Sequence, residues 1–200
     1  ALTSHLIGMG IRLQGRAKKH VNIEDGLYSA SVEGMAGDLR VLSLLVDWID
    51  LHYQRIIVDR LFRIVSESSE IRVRAFWAAI AQWKKTDPRF KRFRSLHHGN
   101  RLDLLPTGTD FHLSKKGEDA RFSGSPLRVP EGVGLRQRAS DILSPKELAK
   151  HHLPYYFRLL IGATYRADMW AYLTLDPELT PSELARRSYG SFATAWHVKE

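Results

Sequence analysis

The chain has 200 residues, of which 44% are hydrophobic and 26% are charged, a composition typical of a globular protein. No stretch approaches the roughly 20 apolar residues that a membrane-spanning helix requires, so we expect no membrane partner. The absence of cysteine excludes disulfides, thiol nucleophiles and thiolate metal sites, and it favours a cytoplasmic location.

The charge balance is basic. Thirty Lys and Arg residues against 22 Asp and Glu residues give a formal net charge of +8. Such a charge suits a polyanionic partner, because each neutralised phosphate releases counterions. It equally serves solubility alone, and the total charge does not separate the two interpretations.

Hydrophobic periodicity divides the chain into four predicted segments. Residues 1–37 show little pattern and form an N-terminal segment. Residues 38–101 contain three amphipathic helices, the first capped by Asp38, and form a helical domain. Residues 102–143 are rich in Gly and Pro and are predicted to be a turn-rich connector, with a short β-hairpin between 100 and 130. Residues 144–200 form a C-terminal helical domain that opens with a Ser-Pro-Lys-Glu capping box.

The end of the helical domain, residues 84–101, is strongly basic. It contains seven Lys or Arg residues and one Asp, with Phe90 and Phe93 between them. We expect a solvated loop that contacts phosphates, or a wing that completes a winged-helix-like domain at 38–101. The two phenylalanines either stack on bases or hold the loop in place. The predicted phosphate contacts in this loop are Lys91, Arg92 and Arg94.

Residues 166–200 carry the most specific motif. A helix at 166–173 and a loop at 175–178 lead to a second capping box at 180–183. The middle helix continues through Leu184-Ala185 and ends at Tyr189-Gly190, before a third helix. This pattern resembles the helix-turn-helix core of winged-helix bacterial DNA-binding regulators.

The resemblance implies that the third helix enters the major groove of double-stranded DNA. Gly190 would supply a left-handed turn, and Phe192 would face the core with Ala195 and Val198. The implied contacts to DNA are Arg186 and Arg187 on the middle helix, followed by Ser191, Thr194, Trp196, His197 and Lys199. The segment holds four Lys or Arg residues and five acids, so a structural or protein-contacting role stays open.

Other residues could suggest metal chemistry. The histidine pairs 97–98 and 151–152 are adjacent in sequence, and adjacent side chains diverge on a helix or strand. The acids Asp103, Asp110, Glu118 and Asp119 lie in a turn-rich stretch without a phosphate-binding glycine loop. We therefore predict surface histidines and solvated acids, with no metal site.

The sequence thus predicts a mainly α protein built as a helical bundle or from winged-helix-like units. The predicted function is DNA binding of the transcriptional-regulator type, without cofactor or enzymatic activity. The alternative is a protein–protein adaptor or antitoxin-like partner, with a second protein or a second copy of the chain bound to a structural helix-turn-helix.

Overall fold

The computed structural model of the protein describes residues 2–200. Within that range the chain is mainly helical, as predicted. The α-helices are α1 (Leu2–Gly8), α2 (Ile23–Met35), α3 (Leu39–His52), α4 (Val58–Ser66), α5 (Ile71–Trp83), α6 (Thr109–Lys116), α7 (Pro145–Ala149), α8 (Leu153–Ile161), α9 (Tyr165–Leu175), α10 (Pro181–Ser188) and α11 (Phe192–Lys199). The strands are β1 (Leu102–Asp103) and β2 (Leu127–Arg128), and 3₁₀ segments lie at Tyr53–Arg55, Pro88–Leu96, Ala120–Phe122 and Ala139–Asp141. None of the helices in residues 2–200 is long and apolar enough to cross a membrane.

The chain divides into two compact units, each built from separate stretches of sequence. The first unit contains the chain up to Gly26, Trp48–Ile57 and Ser140–Glu200, and the second contains Leu27–Asp47 and Val58–Ala139. The boundaries fall inside α2 and α3 and close to residue 140. They therefore differ from the predicted segment limits after residues 37 and 101.

Helix α5 forms the core of the second unit. Val73 and every residue from Ala75 to Ala81 are buried, so the helix is covered on all sides rather than along one stripe. The Trp77 indole donates its Nε1–H to Ser31 Oγ at 3.0 Å, which satisfies the polar atom of a large buried side chain. The predicted helices in this region, α3 to α5, are confirmed.

Residues 88–96 form a 3₁₀ helix packed against α5 instead of the predicted loop or wing. Phe90, Phe93 and Leu96 recur at every third position, and all three are buried. A 3₁₀ helix has three residues per turn, so this spacing aligns the three side chains on one face. The two phenylalanines therefore anchor the segment and offer no stacking surface.

The predicted β-structure between 100 and 130 is present in a different topology. Strands β1 and β2 pair in parallel, with Leu102 opposite Leu127 and Asp103 opposite Arg128. Parallel strands cannot be joined by a tight turn, so the pair is not a hairpin.

Helix α6 lies within the predicted connector and was missed by the sequence analysis. Its sequence TDFHLSKK alternates like a short strand, which masked the helix. Asp110 in the first turn and Lys115 and Lys116 in the last turn complement the helix dipole, and this charge order was the available signal.

The N-terminal stretch gains its structure from partners distant in sequence. The Met9 carbonyl accepts the Trp48 indole N–H at 2.8 Å, and Ile11 forms an antiparallel bridge with Ile142. Met9 and Ile11 are both buried. The segment 1–37, for which no helix was predicted, contains α1 and α2, and its first part is held by contacts with residues distant in sequence.

A buried ion network lies at the centre of the first unit. The Arg158 guanidinium donates to Glu24 at 2.7 and 3.1 Å and to Asp168 at 2.8 Å through two nitrogens. All three residues are at most 2% exposed. Burial alone would lower the pKa of Arg158, but the two carboxylates more than offset burial and raise it.

Two carboxylates can share this guanidinium because other groups also stabilise them. Glu24 accepts the backbone N–H of Ile57 at 2.8 Å. Glu24 and Asp168 both lie in the first turn of a helix, α2 and α9 respectively, where the helix dipole favours negative charge. The network therefore ties α2, α8 and α9 together.

Two buried histidines form hydrogen bonds inside the first unit. Tyr155 Oη lies 2.6 Å from His52 Nδ1, and His52 Nε2 lies 2.9 Å from the Leu143 carbonyl oxygen. His152 Nδ1 accepts the backbone N–H of Tyr155, and its Nε2 lies 2.8 Å from the Val21 carbonyl oxygen. Each geometry suits a neutral imidazole that donates from Nε2. Burial lowers the pKa of both histidines to about 4, although the backbone hydrogen bonds partly oppose this shift.

We expect the free energy of unfolding to fall as the pH drops from about 6.5 to about 4. In the unfolded chain His52 and His152 take up protons near pH 6.5, whereas in the folded protein they do so only near pH 4. Each histidine then destabilises the fold by up to about 3 kcal/mol. Urea titrations over this pH range measure the effect, and His152→Gln should reduce the slope. The exposed His98→Gln is the control, and an equal reduction by both variants would contradict the assignment.

We expect Arg158→Met to destabilise the protein by about 3–5 kcal/mol, because it leaves two buried carboxylates without their cation. The matched control is Arg187→Met, since Arg187 is half-exposed and its nearest carboxylate oxygen, on Asp176, is 4.0 Å away. Its cost should stay below about 1 kcal/mol. Urea unfolding followed by circular dichroism compares the two, and similar midpoints would show that the network contributes little.

Candidate nucleic-acid interface

Helices α9, α10 and α11 pack together at the C-terminal end of the first unit, and we call residues 165–199 the C-terminal three-helix unit. Its core is small and apolar. The buried members are Met169, Leu179, Leu184, Ala185, Ala195 and Val198. The predicted Leu184-Ala185 pair therefore lies inside, as do two of the three residues expected to face the core from the last helix.

Each helix of this unit starts at a polar cap. Thr180 and Glu183 form the predicted capping box, with each side chain bound to the other residue's backbone N–H. Ser191 accepts the backbone N–H of Thr194 at 3.1 Å and so begins α11 where predicted. Thr164 caps α9 by accepting the N–H of Ala167. These caps are local in sequence and limit where each helix can start.

The turn between α10 and α11 differs from the prediction. Tyr189, not Gly190, adopts the left-handed conformation, with φ 59° and ψ 19°. Gly190 is required for space, because a Cβ atom there would lie 2.4 Å from Met169 Cε and 3.2 Å from Tyr165 Cβ. The glycine therefore allows the turn to approach α9 closely.

The outer face of α11 is aromatic. Trp196 and His197 point outward as predicted, but Phe192 is 53% exposed and does not face the core. Its ring packs against that of Trp196 one turn later, with centroids 6.1 Å apart. Placing Phe192 in the core was wrong, because the core contacts of α11 come from Ala195 and Val198.

Three other predicted contact residues already have intramolecular partners. The hydroxyl oxygens of Ser191 and Thr194 lie 2.8 Å apart, and the Ser191 hydroxyl also caps the helix. Lys199 donates its ammonium to the carbonyl of Leu179. These side chains use their hydrogen-bonding groups within the three-helix unit, so fewer of these groups are available to contact DNA.

Charges are separated along the three-helix unit. Arg186 is exposed and precedes the α10–α11 turn, and Arg166 is exposed in the first turn of α9, next to Tyr165, which lies near Gly190. Asp176 and Glu178 lie at the opposite end, in the α9–α10 loop, to which Lys199 also binds. Of the other three acids, Glu183 lies in the first turn of α10 and interacts electrostatically with Arg186 and Arg187, Glu200 follows α11, and Asp168 is buried against Arg158. The basic residues therefore lie toward the α10–α11 turn and most of the solvent-accessible acids toward the α9–α10 loop, although Glu183 and Asp176 interact with the arginines of α10.

In the second unit, the 3₁₀ helix presents a separate basic surface. With three residues per turn, Lys91 and Arg94 lie on one exposed stripe, which we call the basic stripe. Arg92 lies on another stripe, where it pairs with Asp59 at 3.2 Å and stacks over the Phe62 ring at 4.0 Å. Of the three predicted loop contacts, Arg92 is thus engaged, while Lys91 and Arg94 have no side-chain partner among residues 2–200.

The acidic metal-ligand candidates have partners within their own units, and the prediction of solvated side chains was wrong for two residues, since His152 and Asp119 are buried. Asp103 and Asp110 pair with Arg128, Glu118 pairs with Arg101, and Asp119 pairs with Arg121. Across residues 2–200, no group of three or more His, Asp or Glu side chains is placed to hold a metal ion.

A groove of about 760 Å³ in the second unit is lined by Met35, Leu39, Val73 and Leu104 with Arg72 among them. The Arg72 guanidinium donates to the carbonyls of Met35, Asp103 and Leu104. Its charge is therefore committed to the fold, and the groove offers no free cation to a small anionic ligand.

Comparison of this chain with known protein families, with curated proteins and with solved structures finds no match. The geometry of the three-helix unit and the basic stripe is therefore the basis for assigning a function.

Proposed function

We propose that the protein binds double-stranded DNA in the cytoplasm, as a transcriptional-regulator-type protein without a catalytic role. The observation that supports this best is the division of α11 into two faces. Ala195 and Val198 complete the core, while the opposite face, with Phe192, Trp196 and His197, is exposed. A recognition helix in the major groove needs this division, because one face must pack while the other meets base edges.

Phosphate contacts in this proposal come from two places. Arg186 and Arg166 carry positive charge at the turn end of the three-helix unit, close to the start of α11. Lys91 and Arg94 form the basic stripe on the second unit. Such contacts contribute affinity that is independent of base sequence and that weakens with salt.

A second candidate function is a protein–protein adaptor, with another protein or a second copy of this chain as its partner. The exposed aromatic pair Phe192 and Trp196 favours it, because aromatic side chains are enriched at the centres of protein interfaces. The two candidate functions differ in their dependence on charge, because only a polyanionic partner requires the unpaired basic stripe. Removal of the stripe should therefore weaken DNA binding and leave binding to a protein unchanged.

We expect a random-sequence duplex to bind with a steep salt dependence, and the double variant Lys91→Gln/Arg94→Gln to flatten it. Each lost phosphate contact should reduce the slope of log K against log salt by about 0.9, so the double variant should lose up to roughly two units. Fluorescence anisotropy at several salt concentrations provides the measurement.

The matched control is Lys115→Gln/Lys116→Gln, which removes the same charge from exposed positions on α6 in the same unit. If both double variants change the slope equally, net charge rather than the basic stripe attracts DNA. If the wild-type protein binds no duplex at low salt, the DNA-binding proposal fails and the adaptor function takes its place.

A further inference from the structure

The exposed face of α11 lacks the side chains that usually identify bases by hydrogen bonding. Its exposed positions are 192, 193, 196, 197 and 199; the first four carry Phe, Ala, Trp and His, and the fifth, Lys199, donates to the carbonyl of Leu179. In the major groove, guanine is most often bound by Arg or Lys and adenine by Asn or Gln, because these side chains match the base edges with two hydrogen bonds. None of these four types occurs at the first four positions.

The polar groups beside this face are engaged elsewhere. The hydroxyls of Ser191 and Thr194 bind each other and the helix start. Lys199 reaches back to the carbonyl of Leu179. What the first two turns of α11 present outward is therefore mainly apolar surface, namely the packed rings of Phe192 and Trp196 and the methyl group of Ala193.

The major groove contains one apolar group that such a surface can recognise, the 5-methyl group of thymine. The surroundings of α11 favour a nucleic acid over an uncharged partner, because Arg186 and Arg166 lie at the same end of the unit as the start of the helix. Within residues 2–200 neither guanidinium forms an ion pair within 4.0 Å, although Glu183, one turn earlier on α10, interacts electrostatically with Arg186, and Asp176 faces Arg187. Positive charge thus flanks the apolar surface on the side where a duplex would supply phosphates.

We propose that α11 recognises the 5-methyl groups of thymine in the major groove, with Phe192 as the principal contact and Trp196 beside it. This proposal rests on the proposed DNA-binding function and names its specificity. It makes Phe192 a specificity-determining residue. The exposed side chain can be replaced with little loss of stability, because it does not belong to the core of the three-helix unit.

The test measures the binding of the 200-residue chain to two forms of the same duplex. Duplexes selected from a random-sequence pool on the wild-type protein are resynthesised with uracil, which lacks the 5-methyl group, in place of thymine. We expect the selected pool to be enriched in thymine. We expect affinity to fall about fourfold for each contacted methyl removed, as the burial of one carbon would give. Phe192→Ser should bind the two forms equally.

The control variant is Phe111→Ser, which removes an exposed phenylalanine of the second unit and should keep the preference for thymine. Uracil also alters duplex shape, but this alteration changes the affinity of the wild-type protein and of Phe192→Ser alike. The difference between the two proteins in their thymine-to-uracil affinity ratio therefore reports the methyl contact alone. Circular dichroism confirms that each variant is folded.

Equal wild-type affinity for thymine and uracil duplexes overturns the methyl-recognition proposal and leaves DNA binding intact. A preference for thymine that persists in Phe192→Ser also overturns it, because the methyl group is then recognised by another residue. Absence of any duplex binding by the folded wild-type protein overturns the DNA-binding function itself. The two failures are therefore distinguishable.

Discussion

The buried guanidinium of Arg158 holds the first unit together. It binds Glu24 near the start of the chain and Asp168 in the first turn of α9, and both carboxylates are inaccessible to solvent. Charges removed from water in this way are tolerated only when their geometry and remaining hydrogen bonds are complete. The network therefore joins α9 to α8, and α10 and α11 pack on α9 around a small core of their own.

That small core has a functional consequence. Because α11 contributes only Ala195 and Val198 to it, the large side chains of the helix remain outside. Exposed Phe192 and Trp196 would be a liability on a protein without a partner, since apolar surface attracts other molecules. The proposed binding function gives this surface, at the start of a capped helix, a role that stability does not.

In the second unit, a 3₁₀ helix presents basic residues to solvent on a rigid element. The residues from 88 to 96 follow a three-residue period, so the apolar stripe of Phe90 and Phe93 packs inward. The same period places Lys91 and Arg94 together in solvent while Arg92 pairs with an acid. The three-residue period of the apolar side chains is the sequence signal for this element, and it matches neither the α-helical nor the strand period.

Sequence alone determined the features that depend on near neighbours. The capping box at Thr180 and the cap at Ser191 join groups three residues apart. The amphipathic runs from 39 to 83 show which helices have an apolar face that must be buried. Only the tertiary structure decided how distant groups meet. Arg158 and Glu24 are 134 positions apart, and the outward position of Phe192 depends on how three helices share one core. Local propensity and capping act within a turn of chain, while burial depends on every segment that packs at the same place.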